Sequence, residues 1–133
     1  MKRDIIFPQV VGVHIAVAHD NEATTHPWQV VLLNDNEDAI ETITISSRGY
    51  GEADGELVET SVLRHFFPVL LGKSFLAVEL IDPSLFALTN EYWVSYFIGN
   101  QVYDKKFIFV PESITINHLT FIPLLEKQGV LHS

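Results

Sequence analysis

The chain has 133 residues, no cysteine and a formal charge of −9, from 17 acidic against 8 basic residues. A chain of this length buries roughly two thirds of its unfolded surface and needs no covalent staple. The missing cysteines exclude disulfides, thiolate metal sites and a cysteine nucleophile. Duplex nucleic acid and anionic lipid select for clustered Lys and Arg. Here Lys105-Lys106 is the one basic pair in a useful context, so neither nucleic acid nor a membrane is an expected partner.

No apolar run approaches the roughly 18 residues of a membrane span. Met1-Lys2-Arg3 followed by apolar residues up to Ala16-Val17-Ala18 imitates a signal peptide, but Asp4, Pro8, Gln9 and His14 interrupt the run. Val13, Ile15 and Val17 alternate with His14, Ala16 and Ala18, the period of a half-buried strand. Residues 10–19 are therefore read as the first strand and the protein as cytoplasmic, with secretion or a periplasmic location as the alternatives.

The polar segment from Asp20 to His26 is a loop closed by Pro27. Trp28 to Leu33 is a continuous apolar run, as in a strand covered on both faces. Asn34-Asp35-Asn36-Glu37-Asp38 is turn chemistry. In Ile40 to Ser47, Ile43 and Ile45 alternate with Thr42, Thr44 and Ser46. Together, residues 28–47 read as one hairpin. The glycine-rich stretch Arg48 to Glu56 reads as a flexible loop or hairpin tip.

Residues 57–71 carry a four-residue apolar recurrence that suits a helix. Pro68 and the Val, Thr and Phe content favour a strand near 60–67. Leu71-Gly72-Lys73 turns the chain into a strand from Ser74 to Ile81, which Asp82-Pro83-Ser84 breaks. Glu91 to Ile98 and Gln101 to Val110 flank Gly99-Asn100, the pattern of a type II′ hairpin. That register sets Tyr96 opposite Tyr103, Ser95 opposite Asp104, Val94 opposite Lys105 and Trp93 opposite Lys106. It predicts a cation–π contact between Lys106 and Trp93, and a bulge near Asp104 to turn Lys105 off the aromatic face. Ser113 to Phe121 suggests a last strand. The apolar tail, residues 122–133, is expected to pack on the domain or on a partner.

About seven or eight strands with little helix, at this spacing, predict one all-β domain over 1–133: a two-layer antiparallel β-sandwich of immunoglobulin-like type.

Chemistry is harder to place. His19 and His26 flank a loop holding Asp20 and Glu22, a donor set suited to zinc or a similar divalent ion, although the spacing fits no known signature. His65, among Leu63, Arg64, Phe66 and Phe67, reads as a half-buried structural histidine. The acidic turn at 34–38 fails the EF-hand pattern, with Ala39 where glycine is needed and Ile45 where the bidentate Glu belongs. No G-x-S-x-G occurs.

Trp93, Lys106, Tyr96, Tyr103 and Tyr50 are the candidate ligand-binding residues, able to stack a sugar ring or anchor a peptide. No cofactor is implied. With 47% hydrophobic residues and positive mean hydropathy, the first expectation is a non-enzymatic interaction module. It would self-associate as a homodimer through its tail or an edge strand, or dock a protein partner. The alternatives are a small-ligand or carbohydrate-binding module and a metal-dependent hydrolase.

Overall fold

The structure, a computed structural model, describes residues 8–132. The signal-peptide-like start at 1–7 lies outside the described residues. Among the described residues ten strands form two five-stranded sheets that pack face to face, and every strand pair is antiparallel. They are β1 (Val13–His19), β2 (Trp28–Asn34), β3 (Ile40–Ala53), β4 (Glu56–Glu59), β5 (Leu63–Leu70), β6 (Ser74–Leu80), β7 (Thr89–Ile98), β8 (Gln101–Phe109), β9 (Thr120–Ile122) and β10 (Lys127–His132). The lower expected number reflects β4, too short to reveal alternation, and β10, expected only as an apolar tail; the strand expected over Ser113 to Phe121 begins only at Thr120, after a 3₁₀ turn at Ile116–His118. Helix is limited to single 3₁₀ turns at Pro83–Ala87 and Ile116–His118 among the described residues. None is long and apolar enough to cross a membrane.

The first sheet runs β6-β2-β1-β10-β9. The second runs β4-β3-β7-β8, with β5 beside β4 on the same edge of the long strand β3. Alternation sends Val13, Ile15 and Val17 of β1 and Trp28, Val30 and Leu32 of β2 into the space between the sheets. There they meet Ile43, Ile45, Tyr92, Val94, Tyr96 and Phe107 from the second sheet. Each large side chain fully buried here contributes about 1.5–3 kcal/mol.

The apolar run in β2 is explained by a second cluster. Val31 and Leu33 face outward with Ala16 and Ala18, and Ile122, Leu124 and Leu125 fold over them. The C-terminal tail is thus used inside the domain: β10 pairs with β1 from Ile15↔His132 to His19↔Gln128.

Residues 28–47 are not a hairpin. β2 lies between β1 and β6, and β3 belongs to the opposite sheet. With both edges of β2 occupied, the turn after it carries the chain across the sandwich. Asn34 holds that corner. Its buried amide donates to the carbonyls of Asp38 (2.9 Å), Leu70 (3.2 Å) and Leu71 (3.2 Å), and its oxygen accepts from the Asn36 amide (3.2 Å). The adjacent crossing at Gly72 approaches so closely that an added Cβ would lie 2.2 Å from the Glu37 carbonyl oxygen.

The glycine-rich segment is strand as far as Ala53. The hairpin tip is Asp54-Gly55, both left-handed (φ 53° and 81°), as a type I′ turn requires. A β-bulge in β3 near Thr42 (φ 51°) lets Ile40 and Ile43, three apart, both face inward. Pro68 is accommodated because β5 is an edge strand. The 57–71 segment accordingly contains two strands, β4 and β5, and no helix.

The β7–β8 hairpin has the register its turn implies, from Asn90↔Phe109 to Ile98↔Gln101, with Gly99 at φ 60°. The expected bulge near Asp104 is absent, since the pairing is unbroken there. Lys105 points toward the core side with its ammonium 4.9 Å from the centre of the Phe107 ring. A long aliphatic stem lets the charge reach the sandwich rim, so no bulge is needed.

Candidate site: a groove on the second sheet

The outer face of the second sheet carries two adjacent cross-strand rows. One runs Arg64 (β5), Ser46 (β3), Trp93 (β7), Lys106 (β8); the next runs Phe66, Thr44, Ser95, Asp104. The central positions, Thr44, Ser46 and Ser95, are small and hydroxylated. Phe66 and Arg64 rise on one side and Trp93 on the other, so small residues between large ones leave a groove of about 450 Å³. With β5 and β7 on opposite sides of β3, the walls stand about 10 Å apart at the usual strand spacing. Phe66 is 61% and Trp93 44% exposed, so both rings are open to a ligand.

Trp93 is held in place. Its indole N–H donates to the Asp104 carboxylate, and the Lys106 ammonium lies 4.5 Å from its ring centre. The same alternation that puts Trp93 and Lys106 on this face sends Tyr96 and Tyr103 to the other. Those two stack on each other, centroids 5.2 Å apart and nearly parallel, and Tyr96 is buried. Tyr50 stands farther along β3, under the Arg48 guanidinium at 4.7 Å. Arg48 also bonds Glu91 and Glu59, each at 3.1 Å. Of the five aromatic-face candidates, Trp93 and Lys106 alone adjoin the groove. Arg64, Phe66 and Asp104 complete it.

Comparison with family models, curated proteins and solved structures finds no match.

The loop histidines do not converge. The His19 ring lies tilted against Trp28, with centroids 4.5 Å apart. His19 and Glu22 border one shallow hollow and His26 another, with Asp20 touching both. The Asp20 carboxylate caps the Glu22 amide at 3.0 Å and lies 3.9 Å from Lys127. Among the described residues no three His, Asp or Glu side chains are gathered in a way that could hold a metal ion.

A second polar group lies between the sheets. In β6 the pairing passes from Val31↔Ala77 to Val30↔Glu79, leaving Val78 as an extra residue. This bulge turns Glu79 inward. Its Oε1 accepts from Ser47 Oγ at 2.9 Å and pairs with His65 Nε2 at 2.7 Å. Tyr92 OH approaches Oε2 at 3.5 Å, the outer limit of a hydrogen bond. One carboxylate therefore joins β6 of the first sheet to β3, β5 and β7 of the second. Nothing in the local sequence announces it, because Phe75 to Leu80 alternates equally well without a bulge.

Chemically this is a clasp. His65 and Ser47 both bond the carboxylate, and no hydrogen bond joins them to each other, so His65 is not placed to activate the Ser47 hydroxyl.

Burial raises the Tyr92 phenol far above its ordinary value, and the Glu79 charge adds to this. Burial also pushes Tyr96 up to about 12, with a further contribution from Tyr103. In the unfolded chain both ionise near about pH 10. Above that pH the unfolded state holds fewer protons than the folded one. Stability is therefore full below about pH 10 and falls as the pH rises toward the folded values. We expect melting temperature to drop steeply across this alkaline window, and Tyr92→Phe to drop less steeply than the native chain. Equal slopes for the two proteins would refute the assignment of Tyr92.

Proposed function

We propose that this domain is a non-enzymatic binding module that holds a saccharide in the groove of the second sheet. The observation that carries this reading is the pairing of two exposed rings, Phe66 and Trp93, across a floor of hydroxyls from Thr44, Ser46 and Ser95. A sugar presents an apolar C–H face suited to aromatic rings and a rim of hydroxyls suited to Ser, Thr and Asp104.

Self-association draws less support from the arrangement. The tail is already paired with β1. The longer edge strands each carry a feature that discourages pairing: Pro68 in β5, the bulge and inward Glu79 in β6, and Lys105-Lys106 in β8.

The test uses the native tryptophans. Trp28 is buried and Trp93 exposed, so a ligand in the groove perturbs the emission of Trp93. Titration with a panel of neutral oligosaccharides is expected to find one that changes the emission. Calorimetry should then give about tenfold weaker binding for Phe66→Ala or Trp93→Ala, the scale of one lost stacking contact. Affinities unchanged in both variants would end the reading.

A further inference from the structure

We infer that the groove selects acidic over neutral saccharides, with the Arg64 guanidinium receiving a sugar carboxylate. The inference rests on the saccharide reading and adds the charge of the ligand.

It begins from an imbalance. Acids outnumber bases 17 to 8 in this chain, and half of the described Lys and Arg residues are paired with carboxylates. Arg48 pairs with Glu59 and Glu91, Lys73 with Asp35 and Glu37, and Lys127 with Asp20. Among the described residues Arg64, Lys105 and Lys106 pair with no carboxylate. Lys105 is on the core side, over Phe107. The other two lie in the same cross-strand row, Arg64-Ser46-Trp93-Lys106, at its two ends. That row therefore carries a cation at each end on a strongly negative protein; the Asp104 carboxylate of the adjacent row lies at the Lys106 end, next to Trp93, and leaves the Arg64 end positive.

The two cations differ in role. Lys106 is occupied over the Trp93 ring. Arg64 is exposed beside Phe66 and presents a planar fork of donors, which matches a carboxylate in a bidentate way. Opposite it, Asp104 already accepts from the Trp93 indole and has acceptor capacity left for a sugar hydroxyl. The ligand that satisfies both ends has a carboxylate near Phe66 and Arg64, a ring between the aromatic walls and hydroxyls toward Asp104. A uronic acid unit has those three features. Long-range repulsion from the acidic remainder of the protein is screened at physiological salt beyond about 8 Å, whereas contact with Arg64 is not.

The probes are a galacturonic acid trimer, its fully methyl-esterified form and a triglutamate peptide, titrated calorimetrically into the full chain. The acidic trimer is expected to bind about tenfold tighter than the ester. Arg64→Gln should abolish the difference in affinity between acid and ester, and Trp93→Ala should weaken both sugars. Melting curves of each variant verify folding.

Equal binding of acid and ester to the native chain would overturn the inference, as would a preference that survives Arg64→Gln; in either case Trp93-dependent sugar binding would leave the saccharide reading intact. Binding of triglutamate in place of both sugars, or of no probe, would overturn the two together.

Discussion

Glu79→Ala is expected to destabilise the domain by about 3 kcal/mol, from the loss of hydrogen bonds to a largely buried charge. The carboxylate is 13% exposed, and the variant leaves Ser47, His65 and Tyr92 facing a void without their acceptor. For a chain of this size that corresponds to a fall in melting temperature of about 10 °C. Glu79→Gln keeps an acceptor oxygen and the side-chain volume and should lose about half as much. His65→Ala in the Glu79→Ala background should cost less than in the native protein, because the two act as a pair. Additive losses in urea titrations, or a Glu79→Ala loss within about 0.5 kcal/mol of zero as for an ordinary surface change, would show that the sheets are not clasped there.

Asn34→Asp is the second large effect. The Asn34 amide donates to three backbone carbonyls at the corner where the chain crosses between sheets, and the residue is completely buried. Aspartate has nearly the same shape but replaces that donor group with an oxygen, so a carboxylate would face the carbonyls of Asp38, Leu70 and Leu71. Leaving buried acceptors unmatched costs about 1–3 kcal/mol, and adding a buried charge costs more. We expect Asn34→Asp to lose about 4 kcal/mol or to become foldable only at acid pH, where the side chain is protonated and can donate again. Asn34→Ala, which removes the partner without adding charge, should lose less. Denaturant midpoints for the two variants at neutral and acid pH decide the matter: the predicted order is reversed if alanine is the worse substitution.

The groove illustrates how far local sequence reaches. Trp93 and Lys106 are neighbours because Gly99-Asn100 specifies a two-residue turn, and the turn fixes which residues face each other along β7 and β8. Tyr96↔Tyr103 follows from the same register, but period two places that pair on the opposite face, buried and stacked. A pairing register identifies partners across two strands, and only parity identifies which of them share a surface. Arg64 and Phe66 reach the site through β5–β3 and β3–β7 pairing, in which Ser46 meets Arg64 on one side and the far more distant Trp93 on the other. No signal inside residues 60–67 points to Trp93.

The corner at residues 34–38 and the bulge at Val78 were hidden for a related reason. Asn and Asp turn chemistry serves a hairpin and a crossing equally well. The choice is made by β1 and β6, which fill both edges of β2. A bulge changes the facing of Glu79 by one residue without altering composition or periodicity over so short a strand.

By itself the sequence determined the all-β character, the alternating apolar faces of β1 and of the first part of β3, and the β7–β8 hairpin. These depend on side-chain alternation and turn geometry within a few residues. The tertiary structure decided which sheet each strand joined, the use of the tail as a pairing strand, the inward turn of Glu79 and the assembly of the groove. Each of those depends on competition for strand edges and core space between distant segments, and that competition is resolved only when the whole chain packs.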